Sequence, residues 1–230
     1  MKRFRALIFD VDGTLAETEE IHRRAFNETF AYFGLGWQWS VPAYKGLLQV
    51  AGGKERIRRF LDSDPRGGPT ISDDEIAELH RFKSARYIQL ISEGVCALRP
   101  GIAEAIKLAE TRGQHLAIAT TTTRGNVEAL LSVALGEVWT RLFRVIVAGD
   151  EVRHKKPAPD VYVRALHLLG LSNSDCLAIE DSRNGLLAAR RAGIRTLVTR
   201  SRFFQDEEFS EAFAIVDCLT DLPDFEIAAR

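Results

Sequence analysis

The stretch Ala6-Leu7-Ile8-Phe9-Asp10-Val11-Asp12-Gly13-Thr14 decides how this chain is read. Four apolar residues end abruptly in two carboxylates spaced i, i+2, which on an extended backbone point to the same side. Gly13 then permits a sharp turn, and Thr14 adds a hydroxyl. Carboxylates at the carboxyl end of a buried strand stand where open α/β sheets bind their ligands. Side by side they repel unless a cation lies between them, so Asp10 and Asp12 predict a hard divalent metal, Mg²⁺. A strand running into an ordinary Asp/Gly turn would look the same in isolation, so the weight falls on the motifs further along the chain.

Further short β-prone runs lie at Leu116–Ala119, Val145–Ala148, Leu177–Ile179 and Thr196–Val198. Amphipathic segments alternate with them: Ile102–Glu110, Asn126–Leu135, Pro159–Leu169 and Asn184–Ala192. That alternation predicts an α/β fold, a Rossmann-like parallel sheet flanked by helices. One connection is far longer than βα units need: about 100 residues separate the first strand from the second. Within it Ile21, Ala25, Thr29 and Phe33 follow a helical period, with Phe26 and Phe30 beside them. Ile57, Phe60 and Leu61 mark a second helical face, and Ile76, Leu79, Phe82 and Ile88 a third. Asp62–Thr70 is a Pro/Gly-rich loop. A helical insertion directly after the carboxylate strand would sit above the site. The expected organisation is a catalytic core of residues 1–15 and 94–230 with a helical cap of residues 16–93.

The composition is that of an ordinary globular protein, 46% apolar and 27% charged, with a formal net charge of −1 and no block of like charge. Nucleic acid and acidic membrane surfaces are therefore not expected partners. No apolar run approaches the length of a membrane span, and the first strand starts too near Met1 for a signal peptide. Cys96, Cys176 and Cys218 are odd in number and far apart, which suits reduced thiols in a cytoplasmic protein.

Three more motifs follow strands. Thr120-Thr121-Thr122-Thr123 places hydroxyls before a helix expected to start near Asn126, where N–H groups and the helix dipole favour an oxyanion. Lys155-Lys156-Pro157-Ala158-Pro159-Asp160 fixes a lysine on a stiff loop, a common phosphate-binding device. Glu180-Asp181-Ser182 again ends a strand in carboxylates. Each has a plain structural reading: a Thr-rich turn, a solvated basic loop, an acidic helix start. Together they bring a nucleophile, a second carboxylate, a hydroxyl, a cation and metal ligands to one sheet edge, the equipment of phosphoryl transfer.

This set resembles the haloacid dehalogenase superfamily of phosphatases and mutases, over essentially the whole chain. Ala16-Glu17-Thr18-Glu19-Glu20, His22-Arg23-Arg24-Ala25-Phe26-Asn27, Gly52-Gly53-Lys54-Glu55-Arg56-Ile57 and Thr120-Thr121-Thr122 resemble the CbbY-type members. Those dephosphorylate xylulose 1,5-bisphosphate to xylulose 5-phosphate, removing a Rubisco inhibitor beside the Calvin cycle. The resemblance implies Asp10 as nucleophile and Asp12 as general acid and base. It implies Mg²⁺ held by Asp10, the Asp12 carbonyl and Asp181, supported by Glu180, with Thr120 and Lys156 on the transferring phosphoryl group. Thr121 and Thr122, beside Thr120, are by the same resemblance expected to bind substrate. It further implies substrate contacts from Glu17, Glu19, His22, Tyr44, Gly52, Gly53, Lys54 and Arg56, and a monomeric enzyme acting on a small sugar phosphate. Gly52-Gly53-Lys54 also has its own logic: exposed N–H groups at a helix start, beside two cations, suit a second phosphate.

A sugar phosphomutase resembling β-phosphoglucomutase would share this equipment, and net release of phosphate separates the two. A non-catalytic binding protein on the same scaffold would have no need of clustered, mutually repelling carboxylates. Arg124, which either reaches substrate or faces solvent, departs from the expected turn, and Arg200–Glu208 has no assigned place. His80, His115, His154 and His167 read as structural or surface residues, and Trp37 and Trp39 as packing residues of the cap.

Overall fold

The computed structural model describes residues 4–63, 71–94 and 96–222. Among these residues, six parallel strands form one sheet: β1 (Ala6–Phe9), β2 (His115–Ala119), β3 (Phe143–Val147), β4 (Cys176–Glu180), β5 (Arg195–Thr199) and β6 (Ala214–Val216). Their order is β3-β2-β1-β4-β5-β6, so the first strand lies between β2 and β4. β1 is buried along its whole length, as a central parallel strand must be. The strand order reverses beside β1, and that is the switch point where such sheets open a crevice. Helices α5 (Ile102–Thr111), α6 (Arg124–Leu135), α7 (Trp139–Leu142), α8 (Asp160–Leu169) and α9 (Arg183–Arg191) connect the later strands. Apolar clusters cover both faces of the sheet, one through Phe9, Ile118 and Ile179, the other through Ile8, Ala117 and Ala178.

Among the described residues, four helices stand between β1 and α5: α1 (Glu19–Tyr32), α2 (Val41–Leu47), α3 (Gly53–Asp62) and α4 (Asp73–Ser92). The chain leaves and re-enters the sheet through one paired crossing, where Ala16 bridges Leu98. Trp39 is fully buried and packs on Phe26, Phe30, Tyr44 and Phe60, so it is a packing residue as the sequence suggests. Most of the Pro/Gly-rich loop after Asp62 lies outside the described residues.

Several local expectations are corrected. The sheet has a sixth strand, β6, that the apolar pattern does not predict. The α4 stripe is Ile76, Leu79, Lys83, Tyr87, Leu90 and Ile91, whereas Phe82 stacks on Tyr32 and is only half-buried. Helix α6 begins at Arg124, with Thr123 rather than Asn126 at its N-cap position. The unplaced segment after Arg200 folds against the inserted helices: Phe203, Phe204 and Phe209 join the cluster of Phe26, Trp39 and Tyr44. Lys45 of α2 pairs with Asp206 across the same contact, at 2.7 Å.

Candidate active site

Parallel pairing of β2, β1 and β4 sets their carboxyl ends side by side. Thr120 and Asp10 follow the last residues of β2 and β1, while Glu180 ends β4 and Asp181 follows it. All four side chains are buried. Lys156, from the loop before α8, reaches in to donate to Asp10 Oδ1 and Glu180 Oε1, both at 2.6 Å. Tyr162 of α8 donates a short hydrogen bond to the same Glu180 oxygen. Arg124 does not reach this centre; its guanidinium is spent on Glu151 and on the Ile146 carbonyl at 2.7 Å.

Asp10, Glu180 and Asp181 bring carboxylate oxygens within 4.8 Å of one another. Three carboxylates against the one ammonium of Lys156 leave a formal charge of −2 in a buried space. Burial and the neighbouring carboxylates push the Asp10 carboxyl up to about 8, against the pull of Lys156. Burial and the charges of Asp10 and Glu180 push Asp181 up as well. Asp181 Oδ2 and Glu180 Oε2 are buried without a hydrogen-bond partner. An all-oxygen set carrying two uncompensated charges and orphaned lone pairs fits a hard divalent cation. Gly13 makes the close approach possible: at φ +84°, a Cβ there would stand 1.9 Å from Asp181 Oδ2.

Asp12 is separated from this group, which corrects the expectation of a cation between the two carboxylates of the Asp-X-Asp pair. The strand has already ended, and the amides of Thr14, Leu15 and Ala16 all close onto the Val11 carbonyl, so the two-residue alternation no longer holds. Asp12 Oδ1 instead accepts from Thr18 Oγ1 at 2.6 Å and from His22 Nε2 at 2.9 Å. Burial pushes its carboxyl up, but the electrostatic interaction with His22 and the His22 and Thr18 hydrogen bonds outweigh that and hold it at about 2. On the other ring nitrogen, Lys83 Nζ lies 2.5 Å from His22 Nδ1. Donation from Lys83 to Nδ1 places the imidazole proton on Nε2, facing Asp12. Burial, then the Lys83 charge, lowers the His22 pKa, and burial holds Lys83 down at about 7.

The opposite wall of the cleft comes from the inserted helices. Gly52, Gly53, Lys54 and Arg56 line it from the start of α3, joined by Glu19, His22, His80 and Lys83. Thr120, Thr121 and Thr122 line the sheet side, and the cleft encloses ≈ 1010 Å³ including its open mouth. Tyr44 stands behind this wall: its hydroxyl donates to Glu19 Oε2 at 2.7 Å and accepts from Arg56 Nη1 at 2.9 Å. Glu17 does not join the lining; its carboxylate turns to the Arg202 amide at 3.2 Å and to Arg99 Nε at 3.4 Å. His80 and Lys83 line the cleft, a placement that the sequence pattern does not reveal. Burial, then the charges of Lys83 and Lys54, lowers the His80 pKa to about 3, so it enters the wall neutral. The signal that could have found Lys83 is its position on the buried stripe of α4.

A family model for haloacid dehalogenase-like hydrolases matches residues 4–193. Protein CbbY of Rhodobacter capsulatus is 54% identical over 208 residues, covering 90% of each chain. The crystal structure of CbbY from Rhodobacter sphaeroides in complex with phosphate is 48% identical, with a TM-score of 0.91 over 95% of this chain and 96% of that one. A mutant of that protein in complex with xylulose-(1,5)bisphosphate superposes equally well, at a TM-score of 0.91. With the acidic group at the strand ends and a match of this extent, the chain belongs to the haloacid dehalogenase-like hydrolases, within the CbbY family.

Proposed function

We propose that this protein is a Mg²⁺-dependent sugar bisphosphate phosphatase that converts xylulose 1,5-bisphosphate to xylulose 5-phosphate through an aspartyl phosphate. The observation that carries the reading is a cleft with two unlike ends. One end holds the Asp10 carboxylate beside Lys156; the other is a wall of Gly53, Lys54 and Arg56 at the start of α3. A substrate with a phosphate at each extremity matches both, and Rhodobacter sphaeroides CbbY, at 48% identity, was crystallised in mutant form with such a molecule. Residues 16–93 serve as a cap on the core of residues 1–15 and 94–230; the bridge at Ala16 and Leu98 supports that boundary.

Asp10 attacks phosphorus while Lys156 and Thr120 hold the phosphoryl oxygens. The P–O bond to the sugar breaks, and the departing alkoxide takes a proton from Asp12. Asp12 rests ionised, so it takes up that proton before the first step. In the second step it accepts a proton from the water that cleaves the aspartyl phosphate. Asp10, Asp181 and the Asp12 carbonyl would hold Mg²⁺, with Glu180 beside them. When bound, the ion neutralises charge on the transferring group. We take the enzyme to act as a monomer, and three free cysteines support a cytoplasmic setting.

The test is a panel of phosphate esters, including pentulose and hexose bisphosphates and their monophosphates, assayed with Mg²⁺ for free phosphate and for isomerised sugar. The expected result is stoichiometric phosphate release with a preference for xylulose 1,5-bisphosphate. Isomerised sugar phosphate without phosphate release would establish the mutase instead.

A further inference from the structure

Glu180 is fully buried at the end of β4. Its Oε1 accepts from two protein donors, Lys156 Nζ at 2.6 Å and the hydroxyl of Tyr162. Its Oε2 accepts from none, and the whole carboxylate lies against Gly185 of α9, where a Cβ would stand 1.9 Å from Oε2 and 2.3 Å from Oε1. Tyr162 is itself fully buried, and its ring faces the Lys156 ammonium at 5.3 Å from the centroid. One side chain therefore contacts both partners of the ion pair that leads to Asp10.

The choice of donor has a consequence for charge. A second lysine or arginine at this place would satisfy Glu180 equally well but would cancel half of the −2 that the acidic group offers a divalent ion. A phenol supplies the hydrogen bond and leaves that charge intact. It also fixes which Glu180 oxygen faces the lysine, and so fixes where the lysine stands relative to Asp10 Oδ1.

We infer that Tyr162 is a positioning residue of the active site: its hydroxyl locks the Glu180 carboxylate, which holds Lys156 on Asp10 and keeps the acidic group arranged for a divalent metal. It touches neither phosphate nor metal, and it acts through Glu180. The inference rests on the phosphatase reading for its kinetic arm only.

The experiment compares Tyr162→Phe, which removes one oxygen and keeps the ring, with Val161→Ala, a packing change at the adjacent, fully buried position of α8. Two quantities are read: calorimetric binding of Mg²⁺ to the metal-free protein without substrate, and kcat and KM on the wild type's best phosphate ester. Loss of a hydrogen bond to a buried carboxylate should lower kcat about 10- to 100-fold with KM little changed, and should weaken Mg²⁺ binding by roughly the same order. Val161→Ala should lower Tm and leave both quantities near wild type. Tyr162→Phe with wild-type kcat and Mg²⁺ affinity overturns the inference, whatever its Tm. Loss of only one of the two also overturns it, because a single hydroxyl is held to serve both. If no phosphate ester is turned over, the phosphatase reading fails, while the Mg²⁺ titration still decides whether Tyr162 arranges the acidic group.

Discussion

Asp10 and Asp12 differ in their neighbours. Lys156 sits on Asp10, and His22 with Thr18 sits on Asp12. The first, once ionised, has one oxygen outside the Lys156 contact, as the proposed attack requires; the second is hydrogen-bonded to a histidine. Asp10→Asn keeps the shape but cannot attack phosphorus, so turnover should vanish with the circular dichroism spectrum unchanged. Residual phosphatase activity in the purified variant would refute the assignment. Lys54 tests the opposite end of the cleft. Its removal should cost bisphosphates about 1.5–3 kcal/mol, roughly one to two orders of magnitude in kcat/KM, and leave monophosphates nearly untouched. Equal loss for both classes would mean that Lys54 serves the fold and grips no second phosphate.

At the scale of elements, local pattern determines what is legible in the sequence. The strand ends carrying Asp10, Thr120 and Asp181 are readable because an apolar run stopping at a polar residue is a local event. β6 is not: three residues at a sheet edge, with Ile215 41% exposed, leave no hydrophobic run to detect. Lys83 escapes because counting apolar residues along α4 skips a lysine, although it occupies a core position between Leu79 and Tyr87. Tyr162 cannot be placed from sequence because its partner Glu180 lies 18 residues away on another element. The segment after Arg200 carries no periodic signal, and only packing shows that its phenyl rings enter the cluster of the inserted helices. Phe203 meets Tyr44 edge-on at 6.0 Å, and Tyr44 in turn holds Arg56 and Glu19. Phe203→Ala should therefore destabilise the protein by about 3–5 kcal/mol in urea unfolding and raise KM for the bisphosphate. A destabilised variant with an unaltered KM would show that this contact does not extend to the cleft.

Across the whole molecule, the buried charges couple metal, pH and stability. Asp10 titrates near 8 in the folded protein, far above its ordinary value, and Asp181 is shifted the same way. Between an unfolded value near 4 and that folded value, the native state binds more protons than the unfolded one, so these groups make stability fall as pH rises. Asp12 is shifted down to about 2, so its contribution is present above pH 4 and is lost as pH falls through 2. His22 and His80, with lowered pKa values, and Lys83, held at about 7, work against the trend of Asp10. The pH dependence of the metal-free protein therefore mixes opposing groups. The increment produced by Mg²⁺ isolates the acidic ones, because protons and the ion compete for the same oxygens. Mg²⁺ should raise Tm relative to EDTA at both about pH 5.5 and about pH 8, and raise it more at the higher pH. Thermal melts at the two pH values check this. In Asp181→Asn the increment should shrink at both, since one ligand charge is gone. An increment that is equal at the two pH values, or larger at the lower one, would mean that the ion binds away from Asp10 and Asp181.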